Sequence, residues 1–152
     1  MPELRSTHLF TASGEIGPPQ VVGDTPIGRR MIIPVLGGEF AGPKMQGKVL
    51  PGGSDWLLIR EDGSFQQDVR LALETDDGHV IGMAYRGVRH ASAEVAARLA
   101  RGEPVDPSEY YFRTAPFFEA GSGPYEWINR VVAVGVGSRE PGMVRYDVFE
   151  ML

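Results

Sequence analysis

The stretch from Gly37 to Arg60 (GGEFAGPKMQGKVLPGGSDWLLIR) constrains this chain more than any other. It holds six of the twenty glycines and two of the twelve prolines, then runs into an apolar segment, Trp56 to Ile59. Glycine reaches positive φ cheaply and proline fixes its own φ, so Gly37-Gly38 and Pro51-Gly52-Gly53 read as tight corners. Corners this dense in a small chain leave room only for short extended segments between them. Asp55 and Trp56 stand where the second corner turns into strand, a position that suits a pocket edge. A turn aspartate beside a core tryptophan is the plainer alternative.

The rest of the chain follows the same pattern. Leu4 to Ala12, Gln20 to Asp24 and Arg29 to Leu36 read as strands. Glu61-Asp62-Gly63-Ser64 and Asp76-Asp77-Gly78 are hairpin signals built on Asp-Gly. Between them Val69, Leu71, Leu73 and Thr75 alternate with Asp68, Arg70, Ala72 and Glu74, which is the period of a half-buried strand. Two hairpins in succession make an antiparallel meander. Ala91 to Arg101 departs from the pattern. Ser92 suits an N-cap, Val95 and Leu99 lie four apart, and Gly102 and Pro104 end the segment, so one helix is expected there. Glu109 to Thr114, Arg130 to Val136 and Met143 to Phe149 complete the strands.

Eight to ten short strands and one helix in 152 residues make an all-β chain, as a sandwich or a closed barrel. Closure removes edges, and the glycines supply bends, so a single antiparallel β-barrel domain over residues 1–152 is the expectation. The net charge of −5, with no run of Lys or Arg, argues against a nucleic-acid partner. There is no cysteine, and His8, His79 and His90 have no metal-binding spacing, so no metal is expected. No glycine-rich loop precedes a helix, so no phosphate-bearing cofactor is expected either. The chain shows no apolar run of membrane-spanning length and no leader-like start; a cytoplasmic protein without a membrane partner is the expectation.

Candidate chemistry rests on polar groups at strand positions. Glu119 follows Phe117 and Phe118, and it is the first choice for an acid or base, with Asp55 and Asp68 beside it. Arg70, Arg113 and Tyr111 are candidates to orient an oxyanion. Trp56, Trp127 and Phe112 are candidate apolar walls, and Asn129 lies two residues after Trp127. For Asp68 and Arg70 a solvated outer face is an equal alternative. The expectation is that Tyr111, Arg113 and Glu119 face one cavity with Asp55 or Asp68. His90 reads as a surface loop residue.

Several segments taken together resemble domain-of-unknown-function family 3237, also called uncharacterised protein family 0311. They are Gly37-Gly38, Leu50-Pro51-Gly52-Gly53-Ser54-Asp55-Trp56, Asp68-Val69-Arg70, Glu74-Thr75-Asp76-Asp77-Gly78, Tyr110-Tyr111-Phe112-Arg113-Thr114, Phe118-Glu119 and Trp127-Ile128-Asn129. The resemblance spans nearly the whole chain, with Ile128 and Leu71 as small departures. It implies a single-domain barrel like the allene oxide cyclase-like and lipocalin-like barrels, without assigning catalytic residues.

The functional expectation is a cofactor-independent enzyme for isomerisation, cyclisation or lyase-type proton transfer on a hydrophobic, oxygenated small molecule. A non-catalytic ligand-binding barrel is the alternative. Arg130 to Val136 and Met143 to Phe149 carry apolar residues on both alternating faces, which predicts a homo-oligomer.

Overall fold

A computed structural model describes residues 1–152. Ten strands follow one another: β1 (Ser6–Ile16), β2 (Gln20–Thr25), β3 (Gly28–Ala41), β4 (Gln46–Val49), β5 (Ser54–Ile59), β6 (Phe65–Thr75), β7 (Val80–His90), β8 (Tyr111–Ala120), β9 (Ala133–Glu140) and β10 (Met143–Met151). Between β7 and β8 lie a helix, α1 (Ala93–Ala100), and a 3-10 turn at Pro107–Glu109. A second 3-10 turn, Glu126–Arg130, precedes β9. No helix is long and apolar enough to cross a membrane, which says nothing of strands.

All the strand pairings are antiparallel, and they close on themselves. Pairing runs from β1 through β10, β9, β8 and β7 to β6. β4 and β5 then lie end to end between β6 and β3, with β5 on Arg29–Pro34 of β3 and β4 on Gly38–Ala41. β3 returns to β1 through Thr11↔Ala41 to Ile16↔Val35, and β2 extends along β3 beyond that seam. The result is a closed eight-stranded antiparallel barrel with two extra strands and one short helix. The seam leaves the ring without a free edge.

Both Asp-Gly signals are hairpin turns, with Gly63 at φ 81° and Gly78 at φ 90°, conformations that side chains disfavour. The helix forms where expected. Ser92 caps it by accepting a hydrogen bond from the Val95 N–H at 3.2 Å, and Val95 buries against Val105, Tyr110 and Phe112. Pro51-Gly52-Gly53 is the turn between β4 and β5. The Gly37-Gly38 corner is not a corner. Both residues lie inside the 14-residue β3, whose pairing continues past them on both sides.

The interior has two halves. At one end Phe10, Phe40 and Phe118 pack edge to face, at 5.6 and 5.9 Å between centroids, together with Leu9, Leu73, Ile81 and Val148. The 3-10 turn at Glu126–Arg130 plugs that end with the fully buried Ile128. Asn129 anchors the plug. Its Oδ1 accepts from Ala120 N at 2.8 Å, and its Nδ2 donates to the carbonyls of Ala120 (2.9 Å) and Glu126 (3.1 Å). The other half is hollow, with Ala96, Leu99 and Ala100 of α1 at its mouth.

Candidate functional site

The hollow half is a cavity of about 630 Å³, within the usual range for a small-molecule site. Most of its lining is apolar, including Met31 and Ile33 of β3, Val69 and Leu71 of β6, Met83 of β7 and Val144 of β10. A small set of polar groups therefore decides what it can hold: Asp55, Gln67, Tyr85, Arg89, Arg139 and Tyr146, with Ser13 and His90 also on its wall.

Asp55 is the second residue of β5, paired with Ile33 on one side and Val69 on the other. Its Oδ1 accepts the backbone N–H of Asp68 at 3.0 Å. Burial in the apolar wall pushes its carboxyl up to about 6. The Asp68 N–H pulls back, the Asp68 charge adds to the rise, and the charges of Arg30 and Arg89 oppose it.

Tyr85 of β7 is paired with Val69, which places it on the same level as Asp55. Its ring meets Tyr146 of β10 edge to face at 5.2 Å, and Tyr146 meets Phe112 at 5.5 Å. Burial drives both phenols upward. Both stay neutral donors across the physiological range.

Arg89 and Arg139 stand nearer the mouth. The Arg89 guanidinium lies over the Phe65 ring at 4.4 Å. Burial, then the charge of Arg139, lowers Arg89 to about 10, and burial lowers Arg139. The Arg139 backbone N–H donates to the Tyr110 hydroxyl at 2.9 Å. None of the chain's ion pairs includes either arginine. The buried Gln67 has an Oε1 with no hydrogen-bond partner.

Of the residues singled out from the sequence, Asp55 lines this cavity, as does Phe112. The others do not. Asp68 and Arg70 share the outer face of β6, where Asp68 lies 4.0 Å from Arg86 on β7. Its contribution to the cavity is the backbone N–H that holds Asp55. Trp56 faces outward, 49% exposed.

On β8 the inward positions are Phe112, Thr114, Pro116 and Phe118, so Tyr111, Arg113 and Glu119 stand on the outside. There the Arg113 guanidinium lies 5.2 Å from the Tyr111 ring and donates to the Phe112 carbonyl at 2.9 Å. The expected convergence of Tyr111, Arg113 and Glu119 with Asp55 is therefore not met. Neighbours along a strand face opposite ways, so Phe118 inside puts Glu119 outside. Trp127 and Asn129 belong to the plug, where Lys44 lies 4.7 Å from the Trp127 ring. His90 ends β7 and lines the mouth, so it is no loop residue.

Arg89 and Arg139 had a signal in the sequence that went unread. Ile81, Met83 and Tyr85 set an apolar parity on β7 that reaches Arg89. On β9 Ala133, Gly135 and Gly137 are the inward positions, and Arg139 continues them.

A closed antiparallel barrel, solid at one end and hollow at the other, with one carboxylate and two guanidiniums on its inner wall, defines the class. The particular family follows from comparison with known proteins. The family described as "Protein of unknown function (DUF3237)" matches residues 4–151. A UPF0311 protein of Rhodopseudomonas palustris (strain ATCC BAA-98 / CGA009) is 40% identical over 151 residues, 99% of each chain. The chain belongs to this family.

Solved structures agree. A conserved protein of unknown function from Rhodopseudomonas palustris superposes with a TM-score of 0.93 at 39% identity, covering 100% of this chain and 99% of that one. A β-barrel-like protein from Acinetobacter baumannii AYE gives 0.87 at 38% identity, covering 100% and 98%. A protein described as an enzyme from Penicillium herquei gives 0.73 at 22% identity, covering 100% and 98%, a likeness of fold.

Proposed function

We propose that this barrel is a cofactor-independent enzyme of acid–base type, an isomerase, cyclase or lyase acting on a hydrophobic, oxygenated small molecule held in the cavity. One observation carries the reading: Asp55 sits on an otherwise apolar wall with its carboxyl held at about 6. A group with that value is mostly carboxylate at pH 7 yet takes and returns a proton readily. In the proposed step Asp55 removes a proton from a hydroxyl, or from a carbon next to a carbonyl. From carbon, the C–H pair moves onto the carbonyl oxygen as an enolate. From a hydroxyl, the oxygen pair forms a ring C–O bond as a double bond at the attacked carbon breaks. The same carboxyl returns the proton to the carbon left holding the pair. Tyr85 and Tyr146, both on the cavity wall, are the donors to the oxygen that gains charge. The Penicillium herquei neighbour, described as an enzyme, adds that a barrel of this shape can house catalysis.

The second reading, a carrier with the same cavity and no turnover, is favoured by the strongly apolar lining. Incubation with a panel of hydrophobic hydroxyketones and phenols, followed by mass spectrometry, separates the two. Turnover that rises with pH through about 6 and falls roughly 10²–10⁴-fold in Asp55→Asn supports the enzyme. Compounds that bind and leave unchanged, or an Asp55→Asn variant with full turnover, remove it.

A second copy of this chain belongs to the same proposal. Phe117 on β8 and Val134 on β9 are 62% and 37% exposed on one outer face, and a barrel has no second interior to bury them. Sedimentation velocity at micromolar concentration is expected to show a dimer or larger species. A monomer there removes the oligomer and leaves the cavity reading intact.

A further inference from the structure

We propose that the cavity receives a monocarboxylate with a long apolar body, its carboxylate held by Arg89 and Arg139 near the mouth and its body extending down past Asp55. The inference names the ligand class for the acid–base site proposed above and rests on that cavity being a ligand site. Three observations carry it.

The first is the pair of guanidiniums. Arg89 on β7 is in register with Phe112 of β8, and Arg139 on β9 is tied to Tyr110 of the chain segment entering β8. The two arginines therefore flank one strand. Both line the cavity, and none of the chain's ion pairs gives either a carboxylate partner. Half-buried charge left unpaired is costly unless a counterion supplies the missing hydrogen bonds. A planar carboxylate is the anion whose two oxygens match guanidinium forks.

The second is the charge count. Asp55 is the sole carboxylate lining the cavity, against two arginines. One positive charge remains when Asp55 is ionised, which fits a monoanion better than a dianion.

The third is depth. Asp55 is level with Tyr85, whose backbone lies four residues, about 13 Å of strand, below that of Arg89 on β7, with the Arg89 charge still near enough to act on Asp55. The walls around Asp55 are apolar, with Met31, Ile33, Leu57, Val69 and Met83 among them. A head on the arginines thus places apolar body, not head, beside the acid–base group. The orphaned Oε1 of Gln67 marks where the body would carry a hydroxyl donor.

Isothermal titration with decanoate, decan-1-ol and decylamine, which share one apolar body, tests this at pH 7.5 and low salt. Decanoate is expected to bind at least about tenfold more tightly than decanol, with decylamine weakest, as for a charge-assisted contact. Arg89→Gln with Arg139→Gln is expected to abolish the preference, bringing decanoate and decanol to within about twofold of each other. The ligand series in the native protein does not depend on whether that variant folds. Decanol binding as tightly as decanoate, a preference that survives in the folded double variant, or no binding by any of the three overturns the inference. The acid–base reading fails separately. A carboxylate preference with turnover indifferent to Asp55→Asn keeps this inference and removes that one, and Asp55-dependent turnover of a neutral compound without carboxylate preference does the reverse.

Discussion

Asp55→Asn is expected to make the protein more stable above pH 6, and no more stable at pH 4 or below. The folded state holds the Asp55 proton more tightly than the unfolded chain does, because burial penalises the carboxylate. A carboxyl raised in this way contributes its full stability below 3.8, and that contribution is lost as pH climbs to about 6. The rise from 3.8 to about 6 corresponds to a penalty of about 3 kcal/mol at neutral pH, at about 1.4 kcal/mol per tenfold change in proton affinity. Asparagine keeps the oxygen that accepts the Asp68 N–H and has no charge to desolvate. Melting curves at pH 8 should rise by about 6–12 °C for a domain of this size, and the gain should shrink steadily towards pH 4. A variant that melts at or below the native temperature at pH 8 would mean that Asp55 is not desolvated, and the site would lose its acid–base group. Stability gained where function is lost is the usual signature of a working site.

Gly38→Ala should cost about 3 kcal/mol or more, lowering the melting temperature by roughly 6–12 °C, because the added methyl has nowhere to go. An ideal Cβ at Gly38 falls 1.9 Å from the Ser13 carbonyl oxygen and 3.0 Å from Gly14 Cα. Both are backbone atoms of β1, and β1 cannot retreat, since Ser13 is paired with Arg145 of β10 on its far side. The clash falls on the seam where β1 and β3 close the ring. Gly14→Ala is the control across that seam. Its methyl meets nothing nearer than 3.9 Å, and a change within about 0.5 kcal/mol is expected. Equal melting of the native protein and Gly38→Ala would show that the seam does not pack as described.

Features set by neighbours in the sequence were legible before the fold was known. The helix at Ala93–Ala100 follows from Ser92, its apolar spacing and Gly102. The Asp-Gly hairpins and the inward set Val69, Leu71 and Leu73 follow from turn chemistry and a period of two. Gly37-Gly38 misled because glycine marks a turn and a tight strand crossing alike, and only the pairing with Gly14 and Val49 tells them apart. On β8 the chain offers aromatic neighbours at both parities, Tyr111 beside Phe112 and Phe117 beside Phe118. Alternation alone could not say which faced in.

What the sequence by itself determined is therefore the kind of object: many antiparallel strands joined by glycine turns and one capped helix. Each of these depends on φ/ψ preferences and hydrogen bonds within a few residues. The site's membership was decided only in three dimensions. Gln67, Tyr85, Arg89, Arg139 and Tyr146 come from four strands, and closure of the ring brings them to one cavity with Asp55. Which face of each strand looks inward is a matter of register between strands far apart in the chain, and a shift of one residue would turn every side chain to the other side.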